Sequence, residues 1–154
     1  MSIKDKLQEL GLTLPTAALP IAAYVPAVKT GNLVFVAGQL PLVDGKIFKE
    51  GKVGKEVTTE EAKDMAQLCA LNALAAISLV ADIDNIQKIV RVGGFVNGIP
   101  GFTAIPTIIN GASELFIKIF GEVNGKHART AIGVAELPLN SPVEVEVTIQ
   151  LSSN

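Results

Sequence analysis

Tryptophan is absent from this 154-residue chain, and tyrosine, histidine and cysteine occur once each, as Tyr24, His127 and Cys69. A single cysteine can make neither an internal disulfide nor a thiolate-rich metal site, and it fits a reducing compartment. A single histidine excludes a multi-histidine metal centre, and any Ser/His/Asp or Cys/His arrangement would have to use His127. Arginine is nearly as scarce, with only Arg91 and Arg129 among the 13 basic residues. Charged residues make up 18% and the net charge is −2, so there is no basic surplus to attract phosphate, and nucleic acid is not an expected partner. The glycines form neither a dinucleotide fingerprint nor a phosphate loop, and there is no Gly-x-Ser-x-Gly elbow. The first ten residues mix acids with bases and lack an apolar run with a cleavage site, so no secretory leader is expected. Two charge-free stretches exist. Met65–Ala81 sits at the lower length limit for a bilayer span and carries Gln67, Asn72 and Ser78. Val92–Ser113 is interrupted by glycine and proline. Both read as buried parts of a soluble, cytoplasmic protein with no membrane partner.

Hydrophobic residues, by contrast, make up 49% of the chain, and the mean hydropathy is +0.44. A chain of this length buries roughly two-thirds of its unfolded surface, so it can build one real core. The apolar content exceeds what one small domain hides, and an oligomer is expected. Ile3, Leu7 and Leu10 at helical spacing predict a short N-terminal helix, ended by Pro15 and Pro20. Residues 1–20 are read as a helical extension of one domain spanning 1–154. Asn32–Leu40 is β-rich, and Asp44-Gly45 after it predicts a hairpin to Lys46–Phe48. Thr58 and Glu61 match a capping box, and the helix they open is predicted to run to about Ala81. Asn85–Asn97 reads as a strand whose paired glycines, Gly93 and Gly94, predict a bulge or a close backbone approach. A second long helix is predicted between Thr103 and Phe120, with Pro106 in its first turn and Gly121 as its stop. Ala128–Ala135 reads as a strand. Pro142–Leu151 alternates valine, isoleucine and leucine with Glu144, Glu146, Thr148 and Gln150, a strand with one wet and one dry face. The order gives an α+β architecture, a sheet with two helices on one face.

The chemistry-bearing residues are few. Cys69 lies within an apolar helix and reads as a buried, inert thiol. His127 stands between a helix end and a strand, where a surface or capping role outweighs a catalytic one. Arg129 opens an apolar strand, an odd place for a guanidinium unless it faces an acid, a ligand or a subunit boundary. The plain reading is an ion pair with Glu144 or Glu146. The alternative is a ligand, because the planar fork matches a carboxylate in two bonds.

The run His127-Ala-Arg129-Thr-Ala-Ile-Gly-Val-Ala-Glu-Leu-Pro138, followed by Val143-Glu144-Val-Glu146, resembles the C-terminal signature of the RidA/YjgF family, once labelled endoribonuclease L-PSP. Tyr24, the strand through Val36, and Gly38-Gln39-Leu-Pro41 resemble the opening of the same family. Glu61, Ala62, Gln67 and Asn72 fit its first helix. The resemblance implies a chorismate-mutase-like fold, a homotrimer, and ligand clefts between subunits. It implies hydrolysis of small enamines and imines of the 2-aminoacrylate or 2-iminobutanoate type to 2-oxoacids and ammonia, without metal or cofactor. By the same resemblance Arg129 pairs with the substrate carboxylate, and Glu144 positions the attacking water. Tyr24 lines the pocket, and backbone near Gly38, Thr130 and Ala131 completes it. The sequence departs from the family pattern where Thr130-Ala131 replaces Ser-Cys, where Ala37 replaces a serine, and in the longer Gly/Pro-rich segment Phe95–Gly111. These features resemble a longer, less characterised subgroup. Two other readings stand beside the hydrolase: a non-enzymatic module that binds a small carboxylic acid, and, less favoured by one histidine and a negative net charge, a ribonuclease or translation inhibitor.

Overall fold

The computed structural model describes residues 1–153. Ser2 caps the first helix, α1 (Ile3–Glu9), in a capping box with Asp5. Its apolar residues Ile3 and Leu7 are buried, whereas Leu10 stays exposed. The Ile3 N–H donates to Asp84 Oδ1 at 2.6 Å and ties the helix to a short 3-10 turn, Ile83–Asn85.

Five strands form the main sheet: β1 (Ala27–Thr30), β2 (Leu33–Gln39), β5 (Ile86–Asn97), β6 (Ala128–Val134) and β7 (Val143–Leu151). Their spatial order is β1-β2-β7-β5-β6. The β5–β6 pair is parallel and the other pairs are antiparallel. The predicted alternation of β7 is seen residue by residue, with Val143, Val145, Val147, Ile149 and Leu151 buried and the residues between them half-exposed. Asp44 and Gly45, with φ of 49° and 78°, make the two-residue turn of the predicted hairpin. That hairpin joins only β3 (Leu42–Val43) and β4 (Lys46–Ile47) and forms a separate ribbon. The Asn32–Leu40 strand instead pairs with β1 and β7. The sequence reading missed β1, a four-residue strand that directly follows Pro26.

The helix α2 (Thr59–Ile77) starts at the predicted capping box. Thr58 Oγ1 accepts from the Glu61 N–H at 3.1 Å, and Glu61 Oε2 accepts from the Thr58 N–H at 2.9 Å. It ends earlier than the apolar run suggested, because the Ser78 hydroxyl donates back to the Ala75 carbonyl at 2.6 Å and the chain turns there. The other long helix, α3 (Ile105–Gly125), carries Pro106 in its first turn as expected. Gly121, at φ 80° and ψ 172°, breaks the helical path as anticipated, and a further turn follows it to Gly125.

Both long helices cover the same face of the sheet, α2 over β2 and β7 and α3 over β5 and β6. The core lies between them and holds Val34, Ile89, Val92, Val96, Val145 and Ile149 from the sheet and Met65, Leu74, Ile109 and Phe116 from the helices. Cys69 is buried there, its thiol near the Val143 carbonyl, and burial pushes its pKa well up. Gly111 lets the two helices touch, since a Cβ at that position would strike the Lys63 carbonyl. Gly94 likewise makes room for the Ile109 side chain, which is the close approach expected of the glycine pair. No register shift falls at the glycines: β5 shifts against β7 at Gln87 and at Val90, and β2 carries a further bulge. Between the pairs Val36–Val147 and Gln39–Val145, β2 spends two residues, Ala37 and Gly38, against Glu146 alone. No helix among the described residues is long and apolar enough to cross a membrane.

Candidate functional site

Strand alternation decides which candidate residues can meet. Along β5, Val92, Gly94 and Val96 face the helices, so their parallel partners on β6, Arg129, Ala131 and Gly133, do as well. Arg91, Gly93 and Phe95 face the other way. So do Thr130 and Ile132 on β6, Phe35 on β2, and Glu144, Glu146 and Thr148 on β7. We call this second surface the open face.

Arg129 reaches from the edge strand toward α3. Its Nη1 donates to Asn110 Oδ1 at 2.8 Å and to Ser113 Oγ at 3.2 Å. Ser113 in turn lies 2.9 Å from His127 Nε2, and His127 Nδ1 lies 2.6 Å from the Gly125 carbonyl oxygen. The ion pair expected between Arg129 and Glu144 or Glu146 is not formed, because arginine and glutamates project from opposite faces. Arg91 takes Glu146 instead, at 3.5 Å, and its Nη2 donates to Thr130 Oγ1 at 3.0 Å. Arg129 makes no ion pair with a carboxylate among the described residues.

His127 is half-buried rather than a surface residue, and its bond to Gly125 does cap the end of α3. Burial and the nearby Arg129 charge lower its pKa, against an opposing effect of the bond to the Gly125 carbonyl. The ring is therefore held neutral around pH 7. The role of Ser113 and Asn110 was not legible in the sequence. Both lie within the helix predicted between Thr103 and Phe120, but which of its residues turn toward Arg129 is set by how α3 packs beside β6.

On the open face, Glu144 packs over Gly38, where any Cβ would collide with its carboxylate. The bulge at Ala37–Gly38 produces this arrangement by turning the bare glycine backbone toward the glutamate. Burial, and after it the charge of Glu146, raise the pKa of Glu144 above the ordinary carboxylate range. A recess of about 330 Å³ lies alongside, lined by Tyr24, Val28, Phe35, Arg91, Glu146 and Thr148 among others. Tyr24 stands at its rim, largely exposed. The structure thus brings Tyr24, Gly38, Thr130 and Glu144 to the open face and places Arg129 and Ala131 on the helix face. One strand, β5, lies between β6 and β7, and its two inter-strand spacings set their backbones roughly 10 Å apart in addition to the difference in face.

A two-layered arrangement of this kind, one mixed sheet with two long helices on one side and an uncovered face of mixed apolar and polar residues on the other, defines a class of small α+β domains with chorismate-mutase-like architecture. The chain belongs to the YjgF/RidA family: residues 4–151 match the family model described as "YjgF/chorismate mutase-like, putative endoribonuclease". The crystal structure of protein Atu1372 from Agrobacterium tumefaciens, of unknown function, superposes with a TM-score of 0.89 at 42% identity, covering 97% of this chain and 92% of that one. Protein TCP17 of Trypanosoma cruzi is 39% identical over 152 residues, 98% of this chain and 95% of its own. A 2-iminobutanoate/2-iminopropanoate deaminase of Dermatophagoides farinae is 30% identical over 135 residues, 88% of this chain and 91% of its own.

Proposed function

We propose that the protein hydrolyses small reactive enamines and imines bearing a carboxylate, of the 2-aminoacrylate or 2-iminobutanoate type, to 2-oxoacids and ammonia. The observation that carries this reading is the guanidinium of Arg129. It is oriented by two neutral side chains and has no carboxylate of its own. A positive charge prepared in this way suits an incoming acid, which can accept two charge-assisted hydrogen bonds. The relative from Dermatophagoides farinae is named for that chemistry.

The reaction asks little of the protein. The iminium carbon is already electrophilic, so a held substrate and a placed water suffice. Glu144 takes a proton from the water as its oxygen attacks that carbon. Glu144 returns that proton to the nitrogen of the resulting carbinolamine, the C–N bond breaks and ammonia leaves, and the hydroxyl gives up its proton to solvent as the carbonyl of the 2-oxoacid forms. The raised pKa of Glu144 suits a general base, since proton-transfer driving force grows as the pKa nears the working pH. Tyr24 lines the pocket, and the backbone at Gly38, Thr130 and Ala131 supplies its polar walls.

Arg129 and Glu144 project from opposite faces of one sheet, so a substrate of a few carbon atoms reaches both only where two copies meet. The reading therefore includes a homotrimer whose clefts combine the Arg129 of one protomer with the Glu144 of the next. The open face supports such assembly, because Val28, Phe35 and Ile132 are all about half exposed on it, at 50%, 48% and 45%. The test is ammonia-coupled decay of 2-aminoacrylate and 2-iminobutanoate, generated in situ by a dehydratase from serine and threonine. Acceleration by the wild type and none by Arg129→Ala is expected. Equal rates with and without the wild-type protein would contradict the proposal.

A further inference from the structure

His127 and Ser113 have no part in the chemistry described so far, yet their hydrogen bonds end on the proposed anchor. The direction of those bonds can be worked out. The Gly125 carbonyl can only accept, so Nδ1 of the neutral His127 ring carries the proton and donates to it. Nε2 then presents its lone pair to Ser113, whose hydroxyl donates to it. The Ser113 oxygen is left as an acceptor and takes a hydrogen from Arg129 Nη1, while Asn110 Oδ1 takes the other. Both hydrogens of Nη1 are thereby used. The edge formed by Nη2 and Nε keeps its donors free, and that edge alone is a fork of the width of a carboxylate. Phe116 meets the imidazole edge-on, with centroids 6.1 Å apart, and fixes the ring's plane.

We propose that Ser113 and His127 are positioning residues for Arg129, which with Asn110 occupy Nη1 and turn the Nη2/Nε edge toward the substrate carboxylate. This rests on the reading of Arg129 as the carboxylate anchor. From α3 the ring meets Ser113 and Phe116, neither of them charged, and from β6 it meets Arg129, the one charge that acts on it among the described residues. Two consequences follow. A second proton on the ring would turn Nε2 from acceptor to donor, remove the partner of the Ser113 hydroxyl, and set a cation beside Arg129. Conversely, a carboxylate bound at Arg129 offsets the guanidinium's field, so the ring binds a proton more readily when the site is filled.

His127 is the only histidine, so its ring gives one unambiguous NMR signal. The experiment follows that signal against pH, with and without saturating 2-oxobutanoate, in the wild type. It also measures the 2-oxobutanoate dissociation constant for Ser113→Ala, His127→Phe, His127→Gln and Arg129→Met. We expect the wild-type titration to move to higher pH on binding. Loss of the Ser113 acceptor in Ser113→Ala, and of the ring nitrogen that aims the Ser113 hydroxyl in His127→Phe, should each weaken binding about five- to tenfold. In His127→Gln the amide oxygen can still accept from Ser113, and binding should stay within about twofold of the wild type. Arg129→Met should lose binding. An unmoved wild-type titration, or wild-type affinity in both Ser113→Ala and His127→Phe, would overturn the positioning role while loss of binding in Arg129→Met kept the anchor. Wild-type affinity in Arg129→Met would overturn the anchor, and this inference with it. The wild-type titration needs no variant to fold.

Discussion

Arg129 and Glu144 place opposite demands on their surroundings, and each has a specific consequence. Arg129→Lys keeps the charge but loses the fork. The lost charge-assisted bond should lower kcat/KM about 10- to 150-fold, read in the ammonia-coupled assay. Glu144 carries a raised pKa in the folded chain. Its neutral form is favoured by folding, so that contribution to stability is fully present below the ordinary glutamate pKa and is lost as pH rises through the raised one. Glu144→Gln should therefore flatten the melting temperature across the mildly acidic range, where the wild type loses stability with rising pH. In the wild type the rate should fall on the acid side as Glu144 takes up its proton, and Glu144→Gln should lose the activity. Gly38→Ala adds a methyl group where the Glu144 carboxylate lies, and should reduce kcat more than it raises KM.

At the scale of helices and strands, the close contact of α2 and α3 depends on Gly111. Gly111→Ala should overpack this contact and cost about 1–3 kcal/mol in chemical denaturation. What the sequence made legible were elements whose signals are local. The capping box at Thr58 and Glu61, the Asp44-Gly45 turn and the alternation of Val143–Leu151 each depend on neighbours within a few residues, and each forms as read. The missed features depend on distant partners. β1 is too short to show a pattern, and it exists because Val34 and Val36 lie opposite it. Register shifts fall at Gln87 and Val90 of β5 and at Ala37–Gly38 of β2 rather than at Gly93–Gly94, since bulging is a property of a strand pair and not of either strand alone. Arg129 and Glu144 could each be singled out by residue type and context. That they face opposite ways followed only from the β5–β6 and β5–β7 registers, as one residue of slip would reverse either side chain.

For the whole molecule, the open face and the split site point to one conclusion. The apolar content that seemed excessive for a small domain is partly displayed on the surface at Val28, Phe35 and Ile132. Sedimentation should give a particle of about 48 kDa, three chains of 16.1 kDa. Phe35→Glu buries a charge in the proposed contact and should shift the protein toward monomer, with loss of activity although neither Arg129 nor Glu144 is changed. The most direct measurement is complementation between two inactive variants. Arg129→Ala and Glu144→Gln are each prepared, then unfolded together and refolded as a mixture. If each cleft takes its arginine from one chain and its glutamate from another, random mixing of equal amounts restores about a quarter of the clefts. Recovery of about a quarter of wild-type deaminase activity is the expected result. A mixture as inactive as its two components, while wild type refolded in the same way is active, would contradict a site shared between copies.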